Sequence, residues 1–572
     1  MYGYTQQDDL KKVLLMATRL GRELTVVSQI IYDYKSTLKS LTKENEEEEM
    51  KKCHQRSADK LIDLCFKNGG VFIKLGQHMG QLDHLLPEEY VLTMRSNLLD
   101  KCPVTPFEKI EATFFKDFGK RPLDVFTTFS PTPIASASLA QVHIATDATG
   151  RKYAVKVQHP GLKESAEADI ALVEVLVKGV SRLFPDFDYD WLVQQIKDTV
   201  PKELDFQHEA ENAEICRRNL KSKKSTVGSS VHVPEVYHDL SSEHILTMEF
   251  VDGVGVTDRA ALTALGAEPA AVARLVSRTF SEMIFAHGYV HCDPHAANMF
   301  VRRDPDPKKP NAVQLVLLDH GLYKRIDDSF RYDYAALWHA LIFSDEENIK
   351  KFSGRMNAGD LFPIFSAMLT QKSWEQIMEK SEDHLNMDFS KEQSLAIQHY
   401  SKMYAREITM LLQRMPEALV LLLKTNDCLR CVDHALGQPI NTISITARQC
   451  ARALAEQRLA VLGVVEAEDK KDVDAESTSP AGLPHVPRPS SFSPSVLYAR
   501  AQSRMDLIRI EIQLMLLRTF MMQKQLAVTA KNWRAKAAKW GWAKPPAPQM
   551  PEMMLTVITS EEESAIAGTD KK

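Results

Sequence analysis

The chain of 572 residues contains no apolar run of eighteen or more residues, the length that a membrane-spanning helix needs, so no transmembrane helix is predicted. Its eight cysteines are scattered without repeating pairs, which excludes the disulfide framework of a small secreted domain. A formal net charge of -5 argues against general nucleic-acid binding. What is present is an ordinary globular composition, 44% hydrophobic and 26% charged, in a chain long enough for several domains.

Two short acidic segments carry the strongest chemical signal. Asp293 stands in the segment YVHCDPHAAN with Asn298 five residues after it, and Asp319 follows the apolar run 313–318, which predicts a buried strand. In kinase-like folds an Asp at the first position accepts or orients the proton of the attacking group. The Asn and the second Asp bind metal through oxygen, which suits a hard cation such as Mg²⁺. Phosphoryl transfer is therefore the leading hypothesis.

A zinc or redox site is the alternative to phosphoryl chemistry, because several histidines, cysteines and aspartates lie close together in the sequence. Four neighbouring residues offer ligand atoms: His291, Cys292, Asp293 and His295. Ligands this close in sequence do not easily surround one tetrahedral ion, and no second cluster follows them, so zinc is the weaker hypothesis. Cys428 and Cys431 form one C-x-x-C within the helix-like stretch 418–436 without a second pair, which favours core packing over metal or redox chemistry.

A candidate phosphate-binding lysine lies on a predicted β-hairpin. The β-rich segments 141–146 and 151–158 are joined by the turn 147–150. Lys156 stands on the second strand in the tripeptide Ala-Val-Lys, which matches the end of the kinase V-A-I-K strand. An ordinary surface lysine is the alternative interpretation, and the apolar neighbours of Lys156 disfavour it.

No G-x-G-x-x-G sequence precedes this hairpin. Its place is taken by the segment 133–138, PIASAS, whose small side chains still let backbone N–H groups approach phosphates, although with less conformational freedom than glycine has. The candidate nucleotide-binding residues of this loop are Ala135, Ser136, Ala137 and Ser138.

With this alanine-rich loop, the chain resembles the UbiB/ADCK family of atypical kinases, also called AarF-domain proteins. Four further ordered motifs carry the resemblance: FIKLGQ at 72–77, ASLAQVH at 137–143, VKVQHPG at 155–161 and ELDFQHE at 203–209. The first is similar to the KxGQ signature of the family, and the last to its ExD segment with the αC glutamate. Four more segments resemble the AarF domain-containing kinase 1 subgroup: LLPEEY at 85–90, MEFVDG at 248–253, LDHGLY at 318–323 and KTND at 424–427. The resemblance extends from about residue 20 to about residue 455.

The resemblance implies an α+β, atypical protein-kinase-like fold of two lobes, with an N-terminal KxGQ helical extension and an α-rich C-terminal extension. It implies that Glu209 pairs with Lys156 on the nucleotide phosphates, with a solvated helix charge as the alternative for this glutamate. It places backbone groups of Glu249 and Val251 against adenine. The implied cofactors are ATP and Mg²⁺.

The same resemblance gives a regulatory role to the KxGQ helix and its partners, which are Lys74, Gln77, Glu203 and Asp205. In relatives this helix covers the place where a protein substrate would lie, and its lysine reaches toward the nucleotide pocket. Such a cover admits small molecules and excludes extended peptides. The expected reaction is therefore ATP hydrolysis or phosphorylation of a small or lipid-like acceptor, with protein kinase activity disfavoured.

The chain departs from the kinase patterns at three places. The metal-binding turn at 319–321 reads Asp-His-Gly in place of Asp-Phe-Gly, so the aromatic packing that sets active and inactive states in typical kinases cannot be assumed. Ala296 and Ala297 stand where relatives usually have a Pro-Gly or similar small pair, and Ser136 interrupts the alanine-rich loop. None of these changes removes a required ligand.

Composition and motifs divide the chain into seven predicted segments. They are an N-terminal helical region 1–60, the KxGQ extension 61–120, a kinase-like N-lobe 121–253, a C-lobe with helical extension 254–463, a flexible linker 464–496, an amphipathic basic helix 497–544 and a disordered tail 545–572. The basic helix lies on an anionic membrane or docks on protein, and its tryptophans favour the membrane slightly. The stretch 10–35 indicates a membrane-surface helix or a weak transit signal, although the acids Asp8 and Asp9 argue against the latter.

The predicted function is that of an ATP-dependent atypical kinase or ATPase of unknown substrate, which supports mitochondrial lipid or quinone homeostasis as the resemblance implies. A low-turnover nucleotide-binding scaffold and a conventional protein Ser/Thr kinase are the alternatives. The expected partners are ATP, a lipid or quinone-like small molecule and a peripheral membrane contact, and nucleic acid is not expected. Mitochondrial localisation also rests on the resemblance, because the chain shows no clear transit peptide.

Overall fold

The computed structural model describes residues 2–42, 45–80, 86–98, 104–183, 190–309, 312–379 and 403–461, together with scattered helical positions between 494 and 519. The chain divides into two compact units, Met1–Ile510 and Glu511–Lys572, and the first holds nearly all described residues. It has the predicted α+β architecture. No helix within the described ranges has the length and apolar character that crossing a membrane requires. Apart from the scattered positions, the predicted linker 464–496, basic helix 497–544 and tail 545–572 lie outside the described residues.

Four helices form the N-terminal part of the chain: α1 (Tyr2–Ser40), α2 (Glu46–Asn68), α3 (Val71–Met79) and α4 (Glu88–Leu98). Glutamates fill the first turn of α2, where negative charge complements the helix dipole. Two glycines with positive φ, Gly69 and Gly70, make the sharp turn into α3, because other residues rarely adopt this conformation. Apolar residues of α2, α3 and α4, including Phe72, Ile73 and Met94, share one buried cluster. The turn and the cluster together fix the direction of α3.

An antiparallel sheet of five strands forms the first lobe. Its strands are β1 (Thr128–Phe129), β2 (Ala135–Ser136), β3 (Ala140–Thr146), β4 (Lys152–Gln158) and β6 (Ile245–Glu249), in the order β1-β3-β4-β6 with β2 beside β3. The pairing of β3 with β4 confirms the predicted hairpin. Side chains alternate along β4, so Val155 and Val157 are buried against helix α5 (Phe107–Phe118), while Lys156 points to the opposite face. The short helix α6 (Pro122–Val125) precedes β1.

Three helices lie between β4 and β6 in the chain: α7 (Leu162–Leu183), α8 (Asp190–Glu203) and α9 (Phe206–Lys221). Apolar residues of α7 and α8 share a buried cluster with Val71 of α3 and with Leu139 of the alanine-rich loop. The predicted regulatory residue Asp205 caps α9, because its Oδ1 accepts a hydrogen bond from the backbone N–H of Gln207 at 3.0 Å. Helix α3 is thus held between the N-terminal helices and the first lobe.

The second lobe contains two small sheets that position the acidic segments. Four strands form the larger sheet in the order β5 (Val231–His232), β10 (Val313–Leu317), β9 (Met299–Arg303) and β7 (Val254–Gly255). In the smaller sheet β8 (Tyr289–His291) pairs with β11 (Tyr323–Arg325). The strand that leads to Asp293 therefore lies beside the strand that follows Asp319. Strand β10 is the predicted apolar run, and it ends two residues before Asp319.

Helices build the rest of the second lobe. They are α10 (Arg259–Leu265), α11 (Pro269–Glu282), α12 (Asp328–Ile342), α13 (Glu346–Arg355), α14 (Phe362–Thr370), α15 (Trp374–Met378), α16 (Ala405–Arg414), α17 (Glu417–Leu436) and α18 (Ile443–Val461). A π-helical turn, Met283–His287, continues α11. Residues such as Tyr334 and Leu422 belong to a large apolar cluster among these helices. Cys428 on α17 is buried as predicted, but Cys431 is exposed, because the apolar face of the helix does not include it.

Two of the predicted segment boundaries fall inside structural units. Helix α2 continues through residue 60, and strand β5, from the predicted N-lobe segment, pairs in parallel with β10 of the predicted C-lobe segment. Strand β5 is completed by a pairing partner that lies far away in the sequence, and α2 by apolar packing on α3 and α4, so composition alone does not mark these junctions.

Candidate active site

Lys156 lies between two carboxylates beneath the sheet of the first lobe. Its Nζ donates to the two carboxylate oxygens of Glu209 at 2.9 and 2.8 Å and to Oδ2 of Asp319 at 3.2 Å. Strand β4 supplies the lysine, the first turn of α9 supplies the glutamate, and the turn after β10 supplies the aspartate. Burial alone lowers the pKa of Lys156, but attraction to Asp319 and Glu209 raises it above its ordinary value, so the lysine stays charged. Three predicted site residues thus meet from three elements.

The Asp-His-Gly turn is held by its own backbone and by neighbouring side chains. The backbone N–H of Gly321 donates to Oδ1 of Asp319 at 2.9 Å, and the side-chain amide of Asn212 donates to the carbonyl oxygen of His320 at 2.9 Å. The His320 ring is buried and stacks on Tyr323, with its Nδ1 2.9 Å from the tyrosine hydroxyl. Burial lowers the pKa of His320 to about 3, so the ring is neutral. A neutral imidazole therefore occupies the place of the phenylalanine of typical kinases.

Asp293 lies in a loop that its own neighbours fix. The side-chain amide of Asn298 donates to the Asp293 carbonyl oxygen at 3.0 Å, and the Asp293 N–H donates to Nδ1 of His291 at 3.2 Å. The Asp293 carboxylate lies 3.9 Å from Nε2 of His295 and 3.2 Å from Nζ of Lys424. Burial alone raises the pKa of Asp293, but attraction to Lys424 and His295 lowers it well below its ordinary value. The carboxylate is therefore ionised.

The KxGQ helix α3 makes three different contacts through the three residues of its signature. Lys74 Nζ pairs with Oε2 of Glu203 at 2.7 Å, and both side chains are nearly buried. A Cβ atom on Gly76 would lie 2.3 Å from Cδ1 of Leu98, so only glycine permits the close packing of α3 on α4. The side-chain amide of Gln77 donates to the Leu98 carbonyl oxygen at 2.9 Å and ties the same two helices together. Of the three, the lysine is the residue that faces the cleft.

The Lys74–Glu203 pair lies next to the acidic turns. Burial alone lowers the pKa of Lys74, but attraction to Glu203 and Asp293 raises it above its ordinary value. A Cβ atom on Gly321 would lie 3.2 Å from Oδ1 of Asp319 and 3.8 Å from Cγ of Glu203, which places the end of α8 against the Asp-His-Gly turn. The structure therefore brings the predicted regulatory pair to the predicted metal-binding turn.

The sequence reasoning gave no role in this cleft to Lys424 and His78, although Lys424 begins the KTND segment of the resemblance. Lys424 comes from the middle of α17, and its side chain is 7% exposed where it pairs with Asp293. Its Nζ also lies 3.5 Å from Nδ1 of His78, which stands one helical turn after Lys74 on α3. Helical periodicity could have found His78, because residues four apart share one face. The signal for Lys424 is a lysine directly after three leucines in a predicted core helix, since a buried lysine needs a partner.

The alanine-rich loop forms a short arm of the sheet. Its strand β2 pairs with β3, and the Ala137 N–H donates to the Ala140 carbonyl oxygen at 2.7 Å, which commits this amide to the turn. Leu139, directly after the loop, packs in one cluster with Val71 of α3, so the KxGQ helix braces the end of the loop. The predicted nucleotide-binding residues differ in exposure: Ala135 and Ala137 are exposed, Ser136 is half-buried and Ser138 is buried.

Glu249 and Val251 lie where β6 leaves the first sheet. Nε2 of His232 lies 2.8 Å from Oε2 of Glu249, and Arg302 lies 3.7 Å from its other oxygen, so the side chain joins β6 to the sheet of the second lobe. Val251 is buried. The side chain of Glu249 is thus engaged in the fold, and contact of its backbone with adenine stays a prediction.

Asn298 and Asp319 offer the chemistry that a hard cation requires. The Asp319 carboxylate is 39% exposed toward the cleft, and Asn298 donates through its nitrogen, so a carbonyl oxygen is the atom it offers to a cation. Mg²⁺ commonly takes one or two protein carboxylates and completes its shell with phosphate oxygens and water. Within the described ranges no three His, Cys, Asp or Glu side chains converge as a metal cluster. The donor set fits Mg²⁺ bound together with a nucleotide.

The chain is similar in sequence to several known proteins. A profile of the ABC1 atypical kinase-like domain matches residues 97–353. A putative ABC1 protein of Arabidopsis thaliana is 46% identical over 460 residues, which cover 79% of this chain and 86% of that protein. AarF domain-containing protein kinase 1 of Xenopus tropicalis is 41% identical over 447 residues, which cover 77% of this chain and 83% of that protein. Among solved structures, the complex of Rv3197 with erythromycin from Mycobacterium tuberculosis is similar at 19% identity, with a TM-score of 0.38 and coverage of 68% of this chain and 97% of that chain.

Proposed function

We propose that this protein is an ATP-dependent phosphotransferase or ATPase. The premise is that the chain belongs to the ABC1 family of atypical kinase-like proteins, whose members are also named for their AarF domain. One observation carries the proposal. Lys156 Nζ is held 2.8 Å from Glu209 and 3.2 Å from Asp319, which joins a phosphate-binding lysine, its positioning glutamate and a metal-binding aspartate.

The nucleotide end of the reaction follows from these contacts. Lys156 binds the α- and β-phosphates, and Glu209 holds the lysine in place through both of its oxygens. Asn298 and Asp319 would hold Mg²⁺, which would neutralise charge on the phosphates when bound. Asp319 is suited to bind a metal ion, because its side chain is more exposed than those of Lys156 and Glu209, which it contacts or adjoins.

The acceptor end of the reaction centres on Asp293. Its ionised carboxylate orients the hydroxyl group or water molecule that attacks the γ-phosphorus. Helix α3 lies over this end, joined to α8 through Lys74 and Glu203 and to the alanine-rich loop through apolar packing. A cleft covered in this way favours water or a small molecule as acceptor over an extended peptide.

The cellular role follows from the family and from no single contact. We propose that the protein supports mitochondrial lipid or quinone homeostasis, with a lipid-like or quinone-like small molecule as its ligand and with a peripheral membrane contact. Several relatives carry names that call them protein kinases, among them AarF domain-containing protein kinase 1. Protein phosphorylation is therefore the second candidate, and the same preparations test it.

The decisive experiment measures ATP hydrolysis by the purified full-length protein in the presence of Mg²⁺, with and without anionic phospholipid vesicles. The variant Asp319→Asn keeps the size of the side chain but removes the charge that binds metal, so we expect turnover to fall by about 10²-fold or more. Lys308→Met, on an exposed loop of the second lobe, is the matched control and should keep wild-type turnover. Equal turnover in the wild type and in Asp319→Asn would contradict an enzymatic function. Nucleotide binding without turnover in both would instead support a scaffold.

A further inference from the structure

Lys424 pairs with Asp293, the residue to which the proposed function assigns the acceptor. We propose that Lys424 contacts the γ-phosphoryl oxygens of bound ATP and stabilises them during transfer. The proposal rests on the proposed function, and it adds a residue from α17, outside the two acidic segments and the alanine-rich loop. In this step the bond between the γ-phosphorus and the bridging oxygen of ADP breaks and its electron pair stays with ADP. A bond from the acceptor oxygen to phosphorus forms, and the acceptor proton goes to Asp293.

The first argument is the position of the lysine. Its Nζ lies 3.2 Å from Oδ1 of Asp293, so it is within one contact of the group that orients the acceptor. The helix α17 that carries it is packed into the second lobe, and Leu423 and Thr425 on either side are buried. The backbone is therefore fixed, while the four-carbon stem of lysine lets the ammonium group move from the carboxylate to a nearby phosphate.

The second argument compares the three lysines of the cleft. Lys156 is held by Glu209, and Lys74 is held by Glu203, so each has a glutamate partner of its own. Lys424 pairs with Asp293 itself. When Asp293 turns to the acceptor, Lys424 needs another anion, because a buried ammonium group without a partner is costly. The transferred phosphoryl group is the anion that arrives at this point.

The third argument is the composition of the catalytic segment. The sequence from His291 to Asn298, HCDPHAAN, contains no lysine or arginine. A phosphoryl group in transfer spreads negative charge over its three equatorial oxygens, and charged donors near them account for much of the catalysis. Lys424 brings positive charge to this position from a helix that is distant in sequence.

His78 keeps the lysine directed into the cleft. Its Nδ1 lies 3.5 Å from Lys424 Nζ, and burial together with the nearby Lys424 charge lowers its pKa well below the ordinary value. A neutral imidazole can accept a hydrogen bond from an ammonium group without competing for the phosphate. His78 is thus a positioning residue, whereas Lys424 touches the substrate.

The test compares the affinities for ATP and ADP, because only ATP carries the γ-phosphate. Dissociation constants of both nucleotides with Mg²⁺ are measured for the full-length wild type, Lys424→Met, Lys424→Arg and the helix-borne surface control Lys351→Met. We expect Lys424→Met to weaken ATP binding about tenfold or more, the usual effect of losing one charged hydrogen bond, and to leave ADP binding within about twofold. Lys424→Arg should keep part of the ATP affinity that Lys424→Met loses. In Lys424→Met, kcat for ATP turnover should fall by a larger factor than KM rises.

The outcomes separate this proposal from the one it rests on. Equal weakening of ATP binding and ADP binding would show that Lys424 only supports the fold, and it would overturn the proposal. Unchanged binding of both nucleotides would overturn it as well. If the wild type binds neither nucleotide, the proposed function fails as well. If Lys424→Met does not fold, as judged by its thermal transition, the ATP-to-ADP ratio of Lys424→Gln and Lys424→Arg decides the question in the same way.

Discussion

Two lysine–glutamate pairs of similar exposure lie in one cleft, and they differ in how completely each glutamate is bonded. Lys156 binds both oxygens of Glu209, whereas Lys74 binds Oε2 of Glu203 and leaves Oε1 buried without a hydrogen-bond partner among the described residues. A buried acceptor that lacks a partner costs free energy. The Lys156 pair is therefore the more completely bonded of the two, and we propose that it holds a nucleotide while the Lys74 pair closes a cover over the cleft.

The strand that carries Lys156 is also held by more of the fold than the helix that carries Lys74. Lys156 stands on β4, which has a strand paired on each side, in the interior of a sheet. Lys74 stands on the nine-residue helix α3, whose place depends on Gly76 and Gln77 contacting α4. The two pairs have the same chemistry, but the Lys156 pair stands on a strand inside a sheet and the Lys74 pair on a short helix. We expect the loss of the pair to displace the short helix more than the strand.

The largest expected effect comes from Lys156→Met. Removing the ammonium group leaves the neighbouring carboxyl groups of Glu209 and Asp319 without their shared cation and removes the proposed phosphate contact, so we expect ATP turnover to fall by about 10³-fold. The matched control is Lys152→Met, which removes an exposed lysine from the same strand and should retain turnover. Steady-state hydrolysis with Mg²⁺ measures both. Wild-type turnover in Lys156→Met would contradict the proposal that the Lys156–Glu209 pair holds the nucleotide.

A smaller effect is expected from Gly76→Ala, which tests the support of the second pair. The added methyl group would meet side-chain atoms of Leu98 at 2.3 Å and Met94 at 3.2 Å, so these buried side chains or the two helices must shift. Overpacking of this kind costs about 1 to 3 kcal/mol, and we expect a lower thermal midpoint together with weakened closure of the cleft. Gly179→Ala, in α7 with open space around it, is the control. An unchanged midpoint in Gly76→Ala would show that the packing of α3 is looser than the distances indicate.

The sequence predicted residues placed by local spacing better than contacts between distant segments, for a physical reason. Asp293 and Asn298 are joined by a short loop, and Lys156 is placed by the alternation of one strand, so local spacing suffices for these residues. His78 and Lys424 are separated by 346 positions, and only the packing of α3 against α17 brings them together. The stacking of His320 on Tyr323 likewise depends on burial that local patterns do not encode. The two-lobed fold followed from motifs, whereas the contacts across the cleft did not.

A pH effect is expected from Glu23, a buried glutamate that is bonded to an amide and not to a lysine. Its Oε1 accepts from the Asn68 side chain at 2.8 Å, and burial, followed by repulsion from Asp169, raises its pKa from 4.5 to about 7. A raised pKa means that the stabilisation is complete below pH 4.5 and is lost as the pH rises through about 7.

We therefore expect the wild type to lose about 2 kcal/mol of unfolding free energy between pH 5 and pH 8 relative to Glu23→Gln, which stays neutral. The difference between the thermal midpoints of the two proteins at each pH measures this. A constant difference across the range would show that the pKa of Glu23 is not raised in the folded protein.

The smallest expected effect is also the most specific to the second pair. Lys74→Ala leaves Glu203 without its cation, which favours separation of α3 from α8 and opens the cleft to peptide groups. We expect autophosphorylation to rise about fivefold, which corresponds to about 1 kcal/mol in favour of the open arrangement. Incorporation of labelled phosphate from ATP into the protein measures it. The double variant Lys74→Ala with Glu203→Gln removes the uncompensated charge and should return toward the wild-type level. Unchanged phosphate incorporation in Lys74→Ala would mean that the cover stays closed without the ion pair, and that apolar packing of α3 against Leu139 and its neighbours closes the cleft instead.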